Sequence, residues 1–420
     1  MPGRTTAFRL DVLFYLVGLT FAAVSAIASE FYDYRVWGNF ATVGYLLALL
    51  ITIGRRSWSR WIPAGIAGVL AILAPLSVLI FRRAPDFTWG PWPWSFPAQP
   101  EVWVVERAAR LLLDHGTPYP DLTALGRPPV PDDYTPYGPV MAVFGLPRAL
   151  FGAGPLTDAR VWFLLGAAAV VVLTWRVLGW PRARIGAAQL AVLSPLTALI
   201  AATAGDDLPV VALIVLATVL VFRAGPVPAG IACALVVNAK LTALPALVVL
   251  AVAVAAYRGA RALAWFLGTV AAATAIIVTP VLLRGPGAFV EHVIRFPAGL
   301  GQARSPAASP LPGHLIAATG PVGHAIAVAL LGITACAITA WLVLRPPRTA
   351  TDALARIAAG LGAAIVLAPA TRWGYLIYPL ALLGAMIQLG APSSVRAAEP
   401  HAHGDTPVGP TESVANPDTH

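Results

Sequence analysis

Residues 228–256 read PAGIACALVVNAKLTALPALVVLAVAVAA, and whether this run makes one helix or two decides the fold. It is apolar apart from Asn238 and Lys240, with Pro245 shortly after them. One long helix fits, and so do two short helices meeting at Lys240. The flanking charges choose between them. Arg223 precedes the run, and Arg258 and Arg261 follow it; arginines beside membrane segments gather on the cytoplasmic side. A run that starts and finishes on one side crosses an even number of times. Two segments are therefore predicted, with Lys240 at the far apex.

Composition supplies the bilayer this argument needs. The 420 residues are 58% hydrophobic and 11% charged, with mean hydropathy +0.76, where a soluble domain carries about 25% charged residues. A spanning helix takes about 20 apolar residues. Such segments lie near 10–28, 38–54, 62–80, 160–178, 186–202, 208–223, 263–283, 322–343, 354–369 and 373–390. With the two halves of 228–256 they make about twelve spans. Arg4 and Arg9, Arg55, Arg56 and Arg60, Arg182 and Arg184, and Arg345, Arg348 and Arg356 then join Arg223 and Arg258 on the cytoplasmic side, as do both termini. The expected fold is all-α and polytopic. It divides into N-terminal spans (1–81), a large outward loop (82–158), a bundle (159–390) with a second outward loop at 284–321, and a disordered cytoplasmic tail (391–420). The first segment is apolar enough for a signal peptide, but it lacks a small-residue cleavage site and reads as an anchor.

Several function classes fall away. The net charge of +9 belongs to short connections between spans, so nucleic acid is not an expected partner. Cys233 and Cys336 both sit in apolar runs, where they are read as packing residues; there is no disulfide framework or zinc spacing. A transporter or flippase for lipid-linked saccharide would show paired broken helices. The sequence offers one break, at Asn238 to Pro245, with no partner in the other half.

The predicted topology gathers polar residues on the outward side: the turn at Glu30 to Arg35, the large loop, the Gly205-Asp206-Asp207 turn, the Lys240 apex, the second loop, and Arg372-Trp373-Gly374-Tyr375. Ionisable residues at a membrane edge are costly and mark function. Trp89, Trp92 and Trp94 fit an interfacial belt. From Pro100, the residues Val102, Val105, Ala109 and Leu112 recur at helical spacing, which predicts an amphipathic helix at the membrane surface. Glu101 falls in its first turn, where the helix dipole favours the carboxylate that a general base needs. It equally suits a plain N-terminal helix residue. Asp206 and Asp207 fit helix capping or acceptor and metal binding, and Asp132 and Asp133 fit turn chemistry. His292 and His314 read as solvated loop residues. A Mg²⁺ or Mn²⁺ ion held by scattered oxygens is left open.

The string from Glu101 through Glu106-Arg-Ala-Ala-Arg to Gly116-Thr-Pro118-Tyr119 resembles the signature of glycosyltransferase family 87, an acid followed by an Ala-rich helix and a Gly-x-Pro-Tyr turn. Tyr134-Thr-Pro136-Tyr137-Gly-Pro139, Gly205-Asp-Asp, Asn238-Ala-Lys240 and Arg372-Trp-Gly-Tyr375 continue the resemblance in the same order, over about residues 95–385. It implies a GT-C type membrane enzyme of the plasma membrane. Such enzymes move a sugar, here mannose or arabinofuranose, from a polyprenyl phosphate to an envelope glycolipid or polysaccharide, and membrane lipids surround the reaction. The resemblance makes Glu101 the base and Lys240 and Arg372 the cations facing the phosphate. It places Tyr119, Tyr134, Tyr137, Asp206, Asp207 and Tyr375 around the substrates. Glu101 stands where the family more often has Asp. The family's acid also commonly lies in the first outward loop, so Asp33 is a rival base, as is Glu106. A noncatalytic envelope-assembly subunit is a further alternative to the enzyme.

Overall fold

The structure is a computed structural model that describes residues 2–54, 59–83, 96–303 and 306–390. Arg55, Arg56, Trp89, Trp92, Trp94 and the tail at 391–420 lie outside the described residues. Hydrocarbon offers no partner to an open N–H or C=O group, so helices are the expected answer to this composition. The described residues form helices, turns and one isolated bridge, Ala308 to Thr371, with no strand among them.

In chain order the principal helices are α1 (Pro2–Ala28), α2 (Tyr32–Gly54), α3 (Trp61–Phe81), α4 (Pro100–His115), α5 (Ala159–Val177), α6 (Ile185–Ala191), α7 (Pro195–Thr203), α8 (Asp207–Arg223), α9 (Pro226–Ala239), α10 (Leu244–Arg258), α11 (Ala260–Arg284), α12 (Pro321–Leu344), α13 (Ala350–Leu367) and α14 (Ile377–Leu389). Eight helices among the described residues are long and apolar enough to cross a membrane, or nine if the bent pair α6 and α7 is one span. Each apolar segment identified from sequence is helical over most of its length, with 186–202 interrupted at 192–194. The remaining ones, α8 with 17 residues, α9 with 14 and the Trp373–Leu389 helix, are shorter. At 1.5 Å per residue, α8 reaches about 25 Å against a hydrocarbon core of about 30 Å.

The run that opened the sequence reading is two helices. Lys240 takes an extended conformation (φ −148°, ψ 113°), a short 3₁₀ turn covers Leu241–Ala243, and Pro245 falls in the first turn of α10, where a missing N–H costs nothing. The apex is pinned on both sides. Asn238 Nδ2 donates to Ala234 O and Thr274 Oγ1, both at 2.8 Å, and the Gly138 N–H of the large loop donates to Ala239 O at 3.0 Å. A Cβ at Gly138 would lie 2.0 Å from the Asn238 carbonyl oxygen, so this approach admits only glycine.

A second break corrects the reading of a single one. Between α6 and α7 the chain bends by 52°. Pro195 holds Ser194 in an extended conformation (φ −58°, ψ 141°), and the Ser194 hydroxyl accepts the Thr197 N–H at 3.2 Å, which starts a new helix. Cys233 is buried as expected, whereas Cys336 is exposed on α12 and packs against nothing that would bury it.

Buried charges fasten the large loop to the bundle. Arg160 is wholly buried; it donates twice to Asp158 at 2.9 Å and once each to Pro97 O (2.8 Å) and Ala202 O (3.2 Å). Arg83 donates to both Glu106 oxygens at 2.8 and 2.6 Å and to Asp158 at 2.9 Å. Glu106 also accepts the Ala159 N–H at 3.0 Å. Burial opposes the Asp158 charge, yet Arg160 and Arg83 prevail and hold its carboxyl below the usual carboxylate range. This clasp sets where α4 begins relative to α5, and so where Glu101 sits.

Candidate functional site

A cavity of about 590 Å³ opens where the segments assigned to the outward side meet. Phe31 and Tyr34 enter it from the first turn, Glu101 from α4, Asp132 from the large loop, Asp206, Asp207 and Lys240 from the bundle, Ser309 from the second loop, and Arg372 and Tyr375 from the last turn. The segments that the arginine pattern assigned to one side thus share one space. The second loop and the last turn are joined across its rim: the Ser309 N–H donates to Thr371 O at 3.0 Å, the Thr371 N–H to Ala307 O at 3.1 Å, and the Trp373 N–H to Ser309 Oγ at 2.9 Å.

Glu101 is set by local chemistry. Gln99 is extended and its N–H donates to Thr203 O at 3.0 Å; Pro100 then starts the helix and delivers Glu101 to the cavity wall. Oε1 of Glu101 accepts a hydrogen bond from Nη1 of Arg372. Its other oxygen, Oε2, is buried with no hydrogen-bond partner among the described residues. The Glu101 charge, working against burial, holds the Arg372 guanidinium above its ordinary range. A carboxyl group with one idle oxygen thus stands beside a permanent cation.

The cavity floor carries a second charged group. Lys240 Nζ lies 2.8 Å from Asp206 Oδ2 and 2.5 Å from Asp207 Oδ1, and the Tyr378 hydroxyl donates to the same Asp207 oxygen at 2.6 Å. The ammonium also faces the rings of Tyr137 and Tyr375, at 5.4 and 5.2 Å from their centroids. Asp206 precedes α8 without a side-chain capping bond. The acid pair therefore binds lysine rather than capping the helix.

Other candidates fall outside the cavity lining. Asp33 is buried and accepts hydrogen bonds from Gln99 Nε2 (2.7 Å) and the Tyr34 N–H (2.9 Å), so Gln99 stands between it and the open space. Glu106 belongs to the clasp. The Tyr119 hydroxyl donates to Tyr137 O at 2.9 Å, and the Tyr134 hydroxyl accepts the Gln302 N–H at 3.0 Å while its ring stacks on Phe296 at 4.0 Å. Both tyrosines brace the loops. Among the described residues no group of three or more His, Cys, Asp or Glu has a metal-binding arrangement, and Asp206 and Asp207 are already engaged by Lys240.

Asp132 does lie in a turn, Pro131–Asp133, but that turn lines the cavity, held there by Arg107 Nη1, which donates to the Asp132 carbonyl oxygen at 2.7 Å. Gln99, Tyr34 and Ser309 were not singled out from sequence: Gln99 stands two residues before Glu101, and Tyr34 and Ser309 fall in segments assigned to the outward side, but nothing distinguished them within those segments.

His292 is not a solvated loop residue but wholly buried. Its Nδ1 accepts the Thr135 N–H at 3.0 Å, so Nε2 carries the proton and donates to Pro120 O at 2.9 Å. The Thr135 bond needs the neutral ring. Burial, chiefly, pushes His292 below the ordinary imidazole range. Its contribution to stability is thus complete above the unfolded value of about 6.5 and fades as pH falls through the lower folded value. Below about pH 6.5, thermal melting of the wild type should fall more steeply than that of His292→Gln. Parallel melting curves across that range would show that His292 titrates no differently on folding.

With this geometry in view, comparison with known families is decisive. Residues 134–370, more than half of the chain, match the model of glycosyltransferase family 87. The chain belongs to glycosyltransferase family 87. Neither a curated protein nor a solved structure matches it. As a family 87 member it is a membrane glycosyltransferase, with a sugar donor and an acceptor. The matched stretch includes Tyr134, Tyr137, Asp206, Asp207 and Lys240, while Asp33, Glu101, Glu106, Tyr119, Arg372 and Tyr375 lie outside it.

Proposed function

We propose that the cavity transfers mannose or arabinofuranose from a polyprenyl phosphate to a hydroxyl of an envelope glycolipid or polysaccharide, at the outer face of the plasma membrane. The contact between Glu101 and Arg372 at the cavity wall carries this reading. Glu101 takes the acceptor's proton through its idle oxygen while the acceptor oxygen attacks the anomeric carbon. The bond from that carbon to the phosphate oxygen breaks, and the departing phosphate takes its electron pair. Arg372 meets the growing negative charge, while the Lys240 ammonium is already engaged by Asp206 and Asp207 and fixes the floor. Attack opposite the leaving phosphate inverts the anomeric centre.

The donor's arrival has an electrostatic consequence. A phosphate competes with Glu101 for the Arg372 guanidinium, so donor binding loosens the ion pair and frees the Glu101 carboxylate to meet the acceptor hydroxyl. Asp132 and Tyr375, which also line the cavity, supply groups that hydrogen bond to sugar hydroxyls. An outward-facing cavity and cytoplasmic termini are supported by the arginines at the other ends of the helices, among them Arg223, Arg258 and Arg345.

The test is transfer of radiolabelled sugar by purified protein from synthetic short-chain polyprenyl phosphate donors, mannose and arabinofuranose in parallel, to membrane glycolipid acceptors. Turnover with one donor is expected. Folded protein that turns over neither would overturn the proposal.

A further inference from the structure

Away from the candidate active site, two cavities adjoin at the opposite end of α8. The first, about 400 Å³, runs between α5, α6, α8 and α14 and is walled by apolar side chains, including the small Ala167, Ala168 and Ala188, with Trp175 at its side. The second, about 650 Å³, is polar and basic: Arg223 ends α8, and Arg348, Thr349 and Thr351 surround the start of α13. Leu178 and Leu389 line both, so the two cavities adjoin at these side chains. The active-site acid Asp207 starts the same helix that Arg223 ends, which separates the two sites by about 25 Å.

We propose that these adjoining cavities bind one anionic glycerophospholipid, its acyl chain in the apolar part and its phosphate among Arg223, Arg348 and Thr351. Three observations carry the assignment. The apolar part lies among helices whose solvent is hydrocarbon, and its small alanines leave a groove of the kind a lipid chain fills. The basic part sits at its mouth, and basic pockets between membrane helices recognise anionic head groups. Neither Arg223 nor Arg348 makes an ion pair or hydrogen bond among the described residues, and both are exposed, so their charge is available to a ligand. Backbone N–H groups in the first turn of α13 add donors beside them. Tyr257, which also lines the basic part, has the amphipathic character of residues at head-group level. A zwitterionic lipid brings the same phosphate together with its own cation, which the two guanidinium groups repel, so net anionic charge sets the preference.

The experiment is native mass spectrometry of the full chain in mild detergent, titrated with phosphatidylglycerol or with phosphatidylcholine of the same chains. Wild type should hold one phosphatidylglycerol in clear preference to phosphatidylcholine. Arg223→Gln with Arg348→Gln should weaken phosphatidylglycerol binding roughly thirtyfold, from about 1 kcal/mol per arginine. Ala188→Phe, which fills the apolar part, should lose the adduct without touching a charge. Equal binding of the two lipids, or a phosphatidylglycerol adduct that survives both sets of substitutions, would overturn the assignment. So would equal protection of the wild type against thermal unfolding by inorganic phosphate alone.

Discussion

Glu101→Gln should lower sugar transfer by about 10² to 10⁴-fold, the usual contribution of a positioned general base, while leaving the melting temperature near that of the wild type. The change is nearly isosteric and removes the charge without opening a cavity. The side chain is half-buried at a cavity wall and its main contact is Arg372, so the amide can still accept a hydrogen bond from the guanidinium. Donor affinity should hold or improve, because Arg372 no longer divides its charge between the carboxylate and the phosphate. A loss confined to kcat is the signature of an interaction that matters only in the transition state. Glu101→Asp keeps a carboxylate, shorter by one methylene, and should retain more activity than the amide. Unchanged turnover in Glu101→Gln would move the base elsewhere. Of the rivals, Asp33 stands behind Gln99, and Glu106 is committed to Arg83.

The largest stability effect is expected at Lys240. Replacing it with Met leaves Asp206 and Asp207, 2% and 4% exposed, facing each other without a counter-charge. Removing one partner of a buried ion pair typically costs about 3 to 5 kcal/mol. The cluster holds one cation and two carboxylates, so Lys240→Met raises its excess negative charge from one to two. Adding Asp207→Asn returns the excess to one, and the double variant should recover much of the lost stability, although Tyr378 then donates to an amide oxygen. Thermal melts of the two single variants and the double variant complete the cycle. Additive losses would show that lysine and aspartate do not neutralise each other in the folded protein.

Both predictions rest on pairings that no local pattern announced. Glu101 and Arg372 are separated by 271 residues, and Lys240 by 34 and 33 from its two acids. The arginine pattern was enough to bring their segments to one side, because each flanking charge reports independently on a crossing. It said nothing about which neighbours would touch. Asp132 illustrates the limit: its flanking prolines read as a turn, and a turn it is, but Arg107 of a different element aims that turn at the cavity. His292 shows the reverse case, a polar residue in a polar loop that becomes buried because Tyr119 and Tyr134 close over it. The break at Ser194 was written in a single Ser-Pro pair inside an apolar run, where a hydropathy window sees only continuity.

What this sequence determined by itself is an all-helical membrane chain with an apex at Lys240, and a signature sufficient for its family. Those properties follow from transfer free energy and helix geometry, which add up residue by residue along the chain. The tertiary structure alone decided which charges share a cavity, which are locked in a clasp and which stay open to a ligand. Such outcomes depend on the relative placement of packed helices, and a buried charge is settled by whichever partner the packing brings within about 3 Å, however distant in sequence.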